Sequence, residues 1–524
     1  MKLPKRLAFP LLFHLLLGAT LWTTLGTYHT RLLALFVVLY GVFAWLAFTP
    51  RTAGRALENA SPLRRSRDQV RRSFSRPTAA PPRALSSAQT ALSAQGSAGP
   101  AQLGSTMVAF LQDTGRYRRK SLCPFLLAWV LSSLLLSIDP RLIHATNGTA
   151  LAVVHVLLLV QLAMAVILSV LLLRRRVPAA GVPVSVLATL AIILLLGCRI
   201  LVPIASPSPF IDVFVNNTQA ADALLAGVNP YSMSYPDIYH GTYDYPAVIP
   251  YWPGLLYSIT LARSLTGDIR YLMVLSDAVT VVILLLLGRR RSSRGAFPSF
   301  LFPLLWLSFP PSLYVLEQAW VDPFLVPWVA IAAHALARSP LSRNGWLALS
   351  AALGFACSVK QYALLASALA LVLVACTAGL KTALKGALVA FAVFLITVLP
   401  LALGEPARFS WMTIEVPLRL PLRPDGFTLG ACVHRFFDAE IPAVISGALL
   451  AMVLAALLWN LVRGGAHSPE SHLWRWGAAC VLAYGALFLL APQAFCNYYL
   501  FLDFFLVVLW FANTTTPRDQ KISV

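Results

Sequence analysis

The side chains best suited to chemistry lie in a long polar segment, residues 205–248, between two apolar runs. Four of them recur at intervals of three or four residues: Asp212, Asn216, Gln219 and Asp222. On a helix over 213–226, ended by Gly227, these four share one face, because residues three and four apart are neighbours on an α-helix. Asp212 then has two open interpretations. It is a helix N-cap, or it is a general base.

Tyrosines are the second feature of this segment. Five occur between residues 231 and 245: Tyr231, Tyr235, Tyr239, Tyr243 and Tyr245. Their rings can stack on the faces of sugars while their hydroxyls bond to sugar hydroxyls, and the same rings suit an aromatic belt at a membrane surface. We predict that Tyr231, Tyr243 and Tyr245 bind a substrate.

Further polar groups fall in segments that the span assignment below places on the same side of a membrane. They are Glu317, Asp322, Lys360, Gln361, His434, Arg435, Asn497 and Tyr498. Lys360 is the clearest of them, because a cation at membrane depth must find an anion or water. Carboxylates, cations and aromatic rings beside lipid match a substrate that carries a sugar, a phosphate and a lipid chain. We predict that all eight bind it.

The sequence lacks the motifs of several common mechanisms. It has no Asp-x-Asp pair for a metal-bound nucleotide sugar, no GxxxxGK[ST] loop for ATP and no HExxH zinc signature. We assign no certain cofactor and leave the need for a divalent cation open. The net charge of +21 does not indicate nucleic-acid binding, because no basic motif with interleaved aromatic residues accompanies it.

Composition defines the elements that must position these groups. The chain has 524 residues, of which 58% are hydrophobic and only 12% charged, and its mean hydropathy is +0.73. These values predict an all-α, polytopic transmembrane bundle. About fourteen spans are expected, near 7–25, 31–49, 121–138, 150–173, 185–204, 271–288, 297–314, 322–337, 345–359, 362–377, 383–403, 441–462, 475–492 and 497–513.

Basic residues orient these spans. Placing both termini inside puts most of the Lys and Arg residues on the cytoplasmic side, as the positive-inside rule requires. Residues 249–265 then form a short interfacial or re-entrant helix on the outer side rather than a span. Residues 345–377 are read as a hairpin with Lys360 at its outer end, although one bent helix is the alternative.

The same pattern divides the chain into five parts. Residues 1–49 hold two spans, 50–120 form a basic, disordered cytoplasmic linker, and 121–184 hold two further spans. A membrane core with the outer loop 205–248 covers 185–515, and residues 516–524 are a cytoplasmic tail.

Several motifs resemble a known family. The stretch "ADALLAGVNPY" (Ala221–Tyr231), which follows Asp212, and "YDYPA" (Tyr243–Ala247) are similar to the first large outer loop of GT-C glycosyltransferases. Within that superfamily they most resemble bacterial mannosyltransferase-like proteins that use polyprenyl-phosphate sugars. The segments "EQAWVDP", "KQY" and "FCNYY" are also similar to members. Ala247 departs from the family, where a second proline is common.

The resemblance implies a function and a location. It implies that Asp212 is the catalytic base, that a mannose-like sugar moves from a polyprenyl-phosphate donor to the hydroxyl of a glycan or lipid-glycan acceptor, and that the anomeric carbon is inverted. A multi-pass protein of the bacterial inner membrane with its active site on the outer face is expected. The alternative from another class is a transporter or flippase for a lipid-linked glycan, which would use the same basic, aromatic outer surface.

Overall fold

The computed structural model describes residues 5–48, 119–173, 184–292, 299–337, 343–463 and 469–513. Within these ranges every regular element is helical, apart from one isolated β-bridge between Thr27 and Gly426. The all-α prediction is therefore confirmed for the described chain. The predicted linker 50–120, except for its last two residues, and the tail 516–524 lie outside it.

The helices of the first half alternate long apolar elements with shorter ones. In chain order they are α1 (Lys5–Thr24), α2 (Thr30–Phe48), α3 (Arg119–Ile138), α4 (Gly148–Leu173), α5 (Val184–Ala205), α6 (Asp212–Leu225), α7 (Pro253–Thr266), α8 (Tyr271–Ser292), α9 (Leu301–Leu307) and α10 (Ser312–Glu317). A 3₁₀ turn at Pro230–Ser232 follows α6.

The second half has the same character. Its helices are α11 (Asp322–Leu336), α12 (Arg343–Cys357), α13 (Ala363–Ala378), α14 (Leu380–Gly404), α15 (Pro406–Ser410), α16 (Val416–Leu418), α17 (Leu429–Phe437), α18 (Ala443–Arg463), α19 (Pro469–Leu490) and α20 (Cys496–Asn513). A π-helical turn, Trp411–Glu415, joins α15 to α16.

Most of the predicted spans coincide with apolar helices. Seven described helices are long and apolar enough to cross a membrane, and shorter apolar helices coincide with the remaining predicted spans except one. The exception is 297–314, where the prediction of one span is wrong. The consecutive prolines Pro310 and Pro311 separate α9 from α10, because proline cannot donate the backbone hydrogen bond of a continuing helix.

The core forms around α20, whose residues 499–512 are all buried. This helix packs against α1, α11 and α19. Two pairs of ionisable side chains meet inside the bundle, where an unpaired charge is costly. His14 of α1 lies 2.7 Å from Asp503 of α20, and Arg199 of α5 lies 2.6 Å from Asp277 of α8.

Helix α7 and the turn between α12 and α13 pack against each other. Helix α7 has 14 residues, and its beginning packs against the turn between α12 and α13. The Gly254 N–H donates to the Ser358 carbonyl over 2.8 Å, and a Cβ at Gly254 would lie 2.3 Å from the Ser358 hydroxyl. Glycine is therefore required at position 254, where α7 meets this turn. Residues 345–377 are two helices, as the hairpin interpretation predicted.

Candidate active site

A cavity of about 390 Å³ brings six separate segments together. They are the loop before α2, the loop from Ile211 to Tyr251, the end of α10 with the turn after it, the turn after α12, the residues around Arg423 and the start of α20. Eight of the predicted site residues line it: Asp212, Asn216, Tyr243, Tyr245, Lys360, Gln361, Asn497 and Tyr498. Residues up to 286 positions apart in sequence thus share one site.

Three predicted residues on or beside the loop helix do not line this cavity. Only the first two turns of α6 reach it, so Gln219 lies beyond it. Asp222 is exposed and makes a two-point ion pair with Arg263 of α7, at 2.8 and 3.1 Å. Tyr231 is fully buried, and its hydroxyl donates to the Tyr251 carbonyl over 2.8 Å. The contacts of Asp222 and Tyr231 are therefore with the protein itself.

Four more predicted residues also lie outside the cavity. Glu317 is buried and accepts the backbone N–H groups of Ile143 and His144, each over 3.0 Å, so it holds the loop before α4. Asp322 is fully buried beneath the cavity and contacts it only through other side chains. His434 and Arg435 lie on α17, and Arg435 lines a second cavity.

Asp212 is the first residue of α6, and the capping interpretation is wrong in its register. The N-cap is Ile211, whose side chain cannot cap, and the helix ends before Gly227, which has a φ of +76° as predicted for a helix end. The Asp212 carboxylate accepts the Val213 N–H over 2.8 Å. It therefore satisfies one backbone donor and keeps acceptor capacity, since a carboxylate has about four lone-pair sites.

The surroundings of Asp212 weaken its acidity. Burial raises the pKa of its carboxyl, while the Val213 N–H and the charge of Arg423 lower it and offset part of the effect. Within the described chain no cation forms an ion pair with Asp212. A half-buried carboxylate with a raised pKa at a cavity wall has the properties of a general base.

Tyrosines and one arginine line the cavity together with Asp212. Tyr243 stacks on Tyr245, with ring centres 5.7 Å apart, and Tyr239 meets Tyr243 edge to face at 5.0 Å. The Arg423 guanidinium lies 3.8 Å above the Tyr243 ring and donates to the Tyr245 hydroxyl over 3.1 Å. Burial and the charge of Asp212 raise the pKa of Tyr245 to about 12, although Arg423 opposes this. The Tyr245 hydroxyl therefore stays a protonated donor.

Arg423 was missed as a site residue from the sequence. Its carboxylate partner is two residues away, at Asp425, with hydrogen bonds of 2.7 and 2.6 Å. That Arg-Pro-Asp spacing was the available signal, because a proline turn can bring the two side chains together. Three of the five N–H groups of Arg423 are used by Asp425 and Tyr245, which leaves two for a ligand.

Lys360 is paired with an anionic side chain inside the protein. Its ammonium donates to both carboxylate oxygens of Asp322, at 3.0 and 3.2 Å, and Asn497 donates to the same carboxylate over 2.6 Å. The Tyr362 hydroxyl makes a further short bond to Asp322. Three tyrosine rings surround the ammonium, with centres 4.6 to 5.7 Å away: Tyr498, Tyr362 and Tyr251. Lys360 is therefore paired inside the protein, and one ammonium N–H remains for a ligand.

A metal site is not apparent in this arrangement. Among the described residues no three His, Cys, Asp or Glu side chains come together.

The apolar helices and the paired charges inside them define the chain as a helical integral membrane protein. Neither a protein-family model nor a curated protein matches it. Among solved structures, it is similar to ArnT from Cupriavidus metallidurans bound to undecaprenyl phosphate, with 17% identity and a TM-score of 0.40. The similarity covers 61% of this chain and 59% of that chain, which is less than two thirds of either.

Proposed function

We propose that this protein is a membrane glycosyltransferase of the GT-C type. It moves a sugar from a polyprenyl-phosphate donor to an acceptor hydroxyl. One observation carries the proposal: Asp212, a carboxylate with a raised pKa and no ion-pair partner in the described chain, faces a cavity lined by tyrosines and two cations. The outer-loop motifs that resemble the GT-C superfamily support the same assignment.

In the proposed reaction Asp212 accepts the proton of the acceptor hydroxyl. The acceptor oxygen forms its bond to the anomeric carbon from one face, and the bond from that carbon to the phosphate oxygen breaks on the other. The configuration is therefore inverted, and polyprenyl phosphate leaves with the bonding electrons. General base catalysis of this kind contributes about 10²–10⁴-fold.

The remaining donors suit the leaving phosphate. Lys360 and Arg423 line the same cavity as Asp212, and each keeps at least one N–H beyond its internal bonds. Preorganised donors aimed at developing charge stabilise a transition state more than mobile ones do. Asp322 acts as a positioning residue, because it fixes the Lys360 ammonium from below.

The stacked rings of Tyr243 and Tyr245 suit the face of a pyranose. We propose a mannose-like hexose, and this choice rests on the resemblance of the outer loop. We also propose that the cavity opens on the outer face of a bacterial inner membrane. Labelling of a cysteine placed at Ser232 by an impermeant reagent in whole cells tests that side, and labelling only after permeabilisation would reject it.

Donor transfer by the purified protein is the decisive experiment. The full chain, in lipid nanodiscs, is incubated with radiolabelled polyprenyl-phosphate mannose, glucose or arabinose and a panel of acceptors, with and without a divalent cation. We expect label to pass from one of these lipids to an acceptor, and Asp212→Asn to abolish the transfer. Asp222→Asn is the matched control, since that carboxylate lies outside the cavity. Transfer by the folded Asp212→Asn protein at the wild-type rate would reject the mechanism.

A further inference from the structure

A second cavity, of about 800 Å³, adjoins the first. The two share Thr27 and Asp425 in their walls. The other residues that line it come from the start of α2, the turn before α17 and α17 itself: Tyr28, His29, Thr30, Arg31, Pro424 and Arg435. A ligand in the second cavity would therefore be separated from the first by the two backbone segments that carry Thr27 and Asp425.

The wall between the cavities is held by backbone hydrogen bonds. The Tyr28 N–H donates to the Asp425 carbonyl over 2.8 Å, and Thr27 pairs with Gly426 as a β-bridge. Gly26 has a φ of +78°, and a Cβ there would lie 2.2 Å from the Cys496 nitrogen. Because only glycine allows this approach, the loop before α2 is locked against the start of α20.

The charges of this second cavity are not balanced. Asp425 is its one acid, and both of its carboxylate oxygens already accept hydrogen bonds from Arg423. Arg31 and Arg435 are exposed, and neither forms an ion pair within the described ranges. His29 is a third basic group on the same wall. An excess of positive charge therefore faces an open space.

We propose that the second cavity binds an anionic group of the acceptor, a phosphate or a carboxylate, through Arg31 and Arg435. Two guanidinium groups suit planar or tetrahedral oxyanions, because each can donate two parallel N–H bonds. This inference rests on the proposed function, since the shared wall would hold the acceptor beside Asp212. The anion belongs either to a glycan or to a lipid headgroup, and both sources have the same chemistry.

The electrostatic character of the site can be measured without any transfer reaction. A cysteine is introduced by Thr30→Cys in the full chain, which is placed in phosphatidylcholine nanodiscs. Its labelling rates with an anionic and a cationic methanethiosulfonate reagent are compared, after subtraction of the background from the unsubstituted protein. We expect the anionic reagent to be favoured, and Arg31→Gln or Arg435→Gln to lower the ratio about 5-fold each. Arg408→Gln, an outer arginine that lines neither cavity, should leave the ratio unchanged.

Protection then identifies the ligand chemistry. Inorganic phosphate and glucuronate should slow labelling of Thr30→Cys, and the Arg31→Gln, Arg435→Gln double variant should lose that protection. Protection in phosphatidylglycerol nanodiscs without added anion would assign the bound anion to a lipid headgroup. Absence of protection in every condition, or equal protection in the double variant, would overturn the proposal. Protection without any sugar transfer would leave this anion site standing and reject only the glycosyltransferase assignment.

Discussion

Two carboxylates differ in their relation to the central cavity and in their surroundings: Asp212 lines it, and Asp322 does not. Asp322 is fully buried and is held by Lys360, Asn497 and Tyr362. Asp212 is half-buried, accepts one neighbouring N–H and has no ion-pair partner among the residues described. Burial, with a contribution from the charges of both carboxylates, raises the pKa of Tyr251 in the cavity wall.

This difference suits Asp322 and Asp212 to different roles. A carboxylate whose lone pairs are already occupied by donors cannot take a proton without breaking those bonds, so Asp322 is suited to hold Lys360 in place. A carboxylate that burial has made more basic, and that keeps free acceptor sites, is suited to take a proton. Sequence position alone did not distinguish the two, because both begin a helix.

The largest effect should follow from Asp212→Asn. We expect kcat to fall by about 10²–10⁴-fold, because the amide cannot accept a proton as the carboxylate does. The melting temperature should stay at or slightly above the wild-type value. Burial raises the pKa of Asp212, so its ionised form at neutral pH opposes folding, and the neutral amide removes that opposition. The measurements are turnover and thermal unfolding of the same preparation. A large loss of melting temperature would show that Asp212 has a structural role, as Asp322 does.

Asp322→Asn should have the reverse profile, with stability lost first. Removing one partner of a buried ion pair costs about 3–5 kcal/mol, because the other charge is left uncompensated. The side chains of Lys360 and Asp322 are 9% and 0% exposed, so solvent cannot replace the lost partner. Thermal unfolding of Asp322→Asn, Lys360→Met and the double variant measures the coupling. The double variant should lose less stability than the two single losses added together; simple additivity would show that the pair is not coupled.

The sequence predicted the features that depend on neighbouring residues. It did not predict the features that depend on tertiary contacts. Hydropathy placed most helices, and Gly227 marked the end of α6, because both depend on nearby residues. The break at Pro310 and Pro311 carried a local signal that apolar content concealed. The partner of Lys360 could not be inferred, since Asp322 is 38 residues away in sequence and meets it only after α11, α12 and α13 pack.

The same dependence on tertiary contacts explains why the site was predicted only in part. Tyr231 and Glu317 are polar residues in the right segments, yet their polar atoms bind backbone groups of their own structure. No spacing distinguishes a side chain that faces a cavity from one that supports its wall. Arg423, by contrast, had a local partner at Asp425, but only the fold brings it onto Tyr243.

A smaller effect should be a shift in pH dependence. The charge of Arg423 lowers the pKa of Asp212 and opposes the effect of burial. Removing it by Arg423→Gln should raise that pKa further, so the general base becomes protonated at a higher pH. The acid limb of the kcat/KM profile should therefore move to higher pH in Arg423→Gln. Arg408→Gln provides the matched loss of one outer positive charge and should leave the limb in place. Equal profiles would mean that the limb reports a group other than Asp212.

The smallest effect should come from Asp222→Asn, which gives the comparison its baseline. Asp222 lies on the same helix as Asp212, but its side chain is 48% exposed and pairs with Arg263, which is 32% exposed. Exposed ion pairs contribute about 0–1 kcal/mol, because water solvates both charges after the pair is broken. We expect a small loss of melting temperature, reproduced by Arg263→Gln, and transfer close to the wild-type rate. Turnover as low as that of Asp212→Asn would place the base at Asp222. Helix α6 would then have to present Asp222, rather than Asp212, to the acceptor.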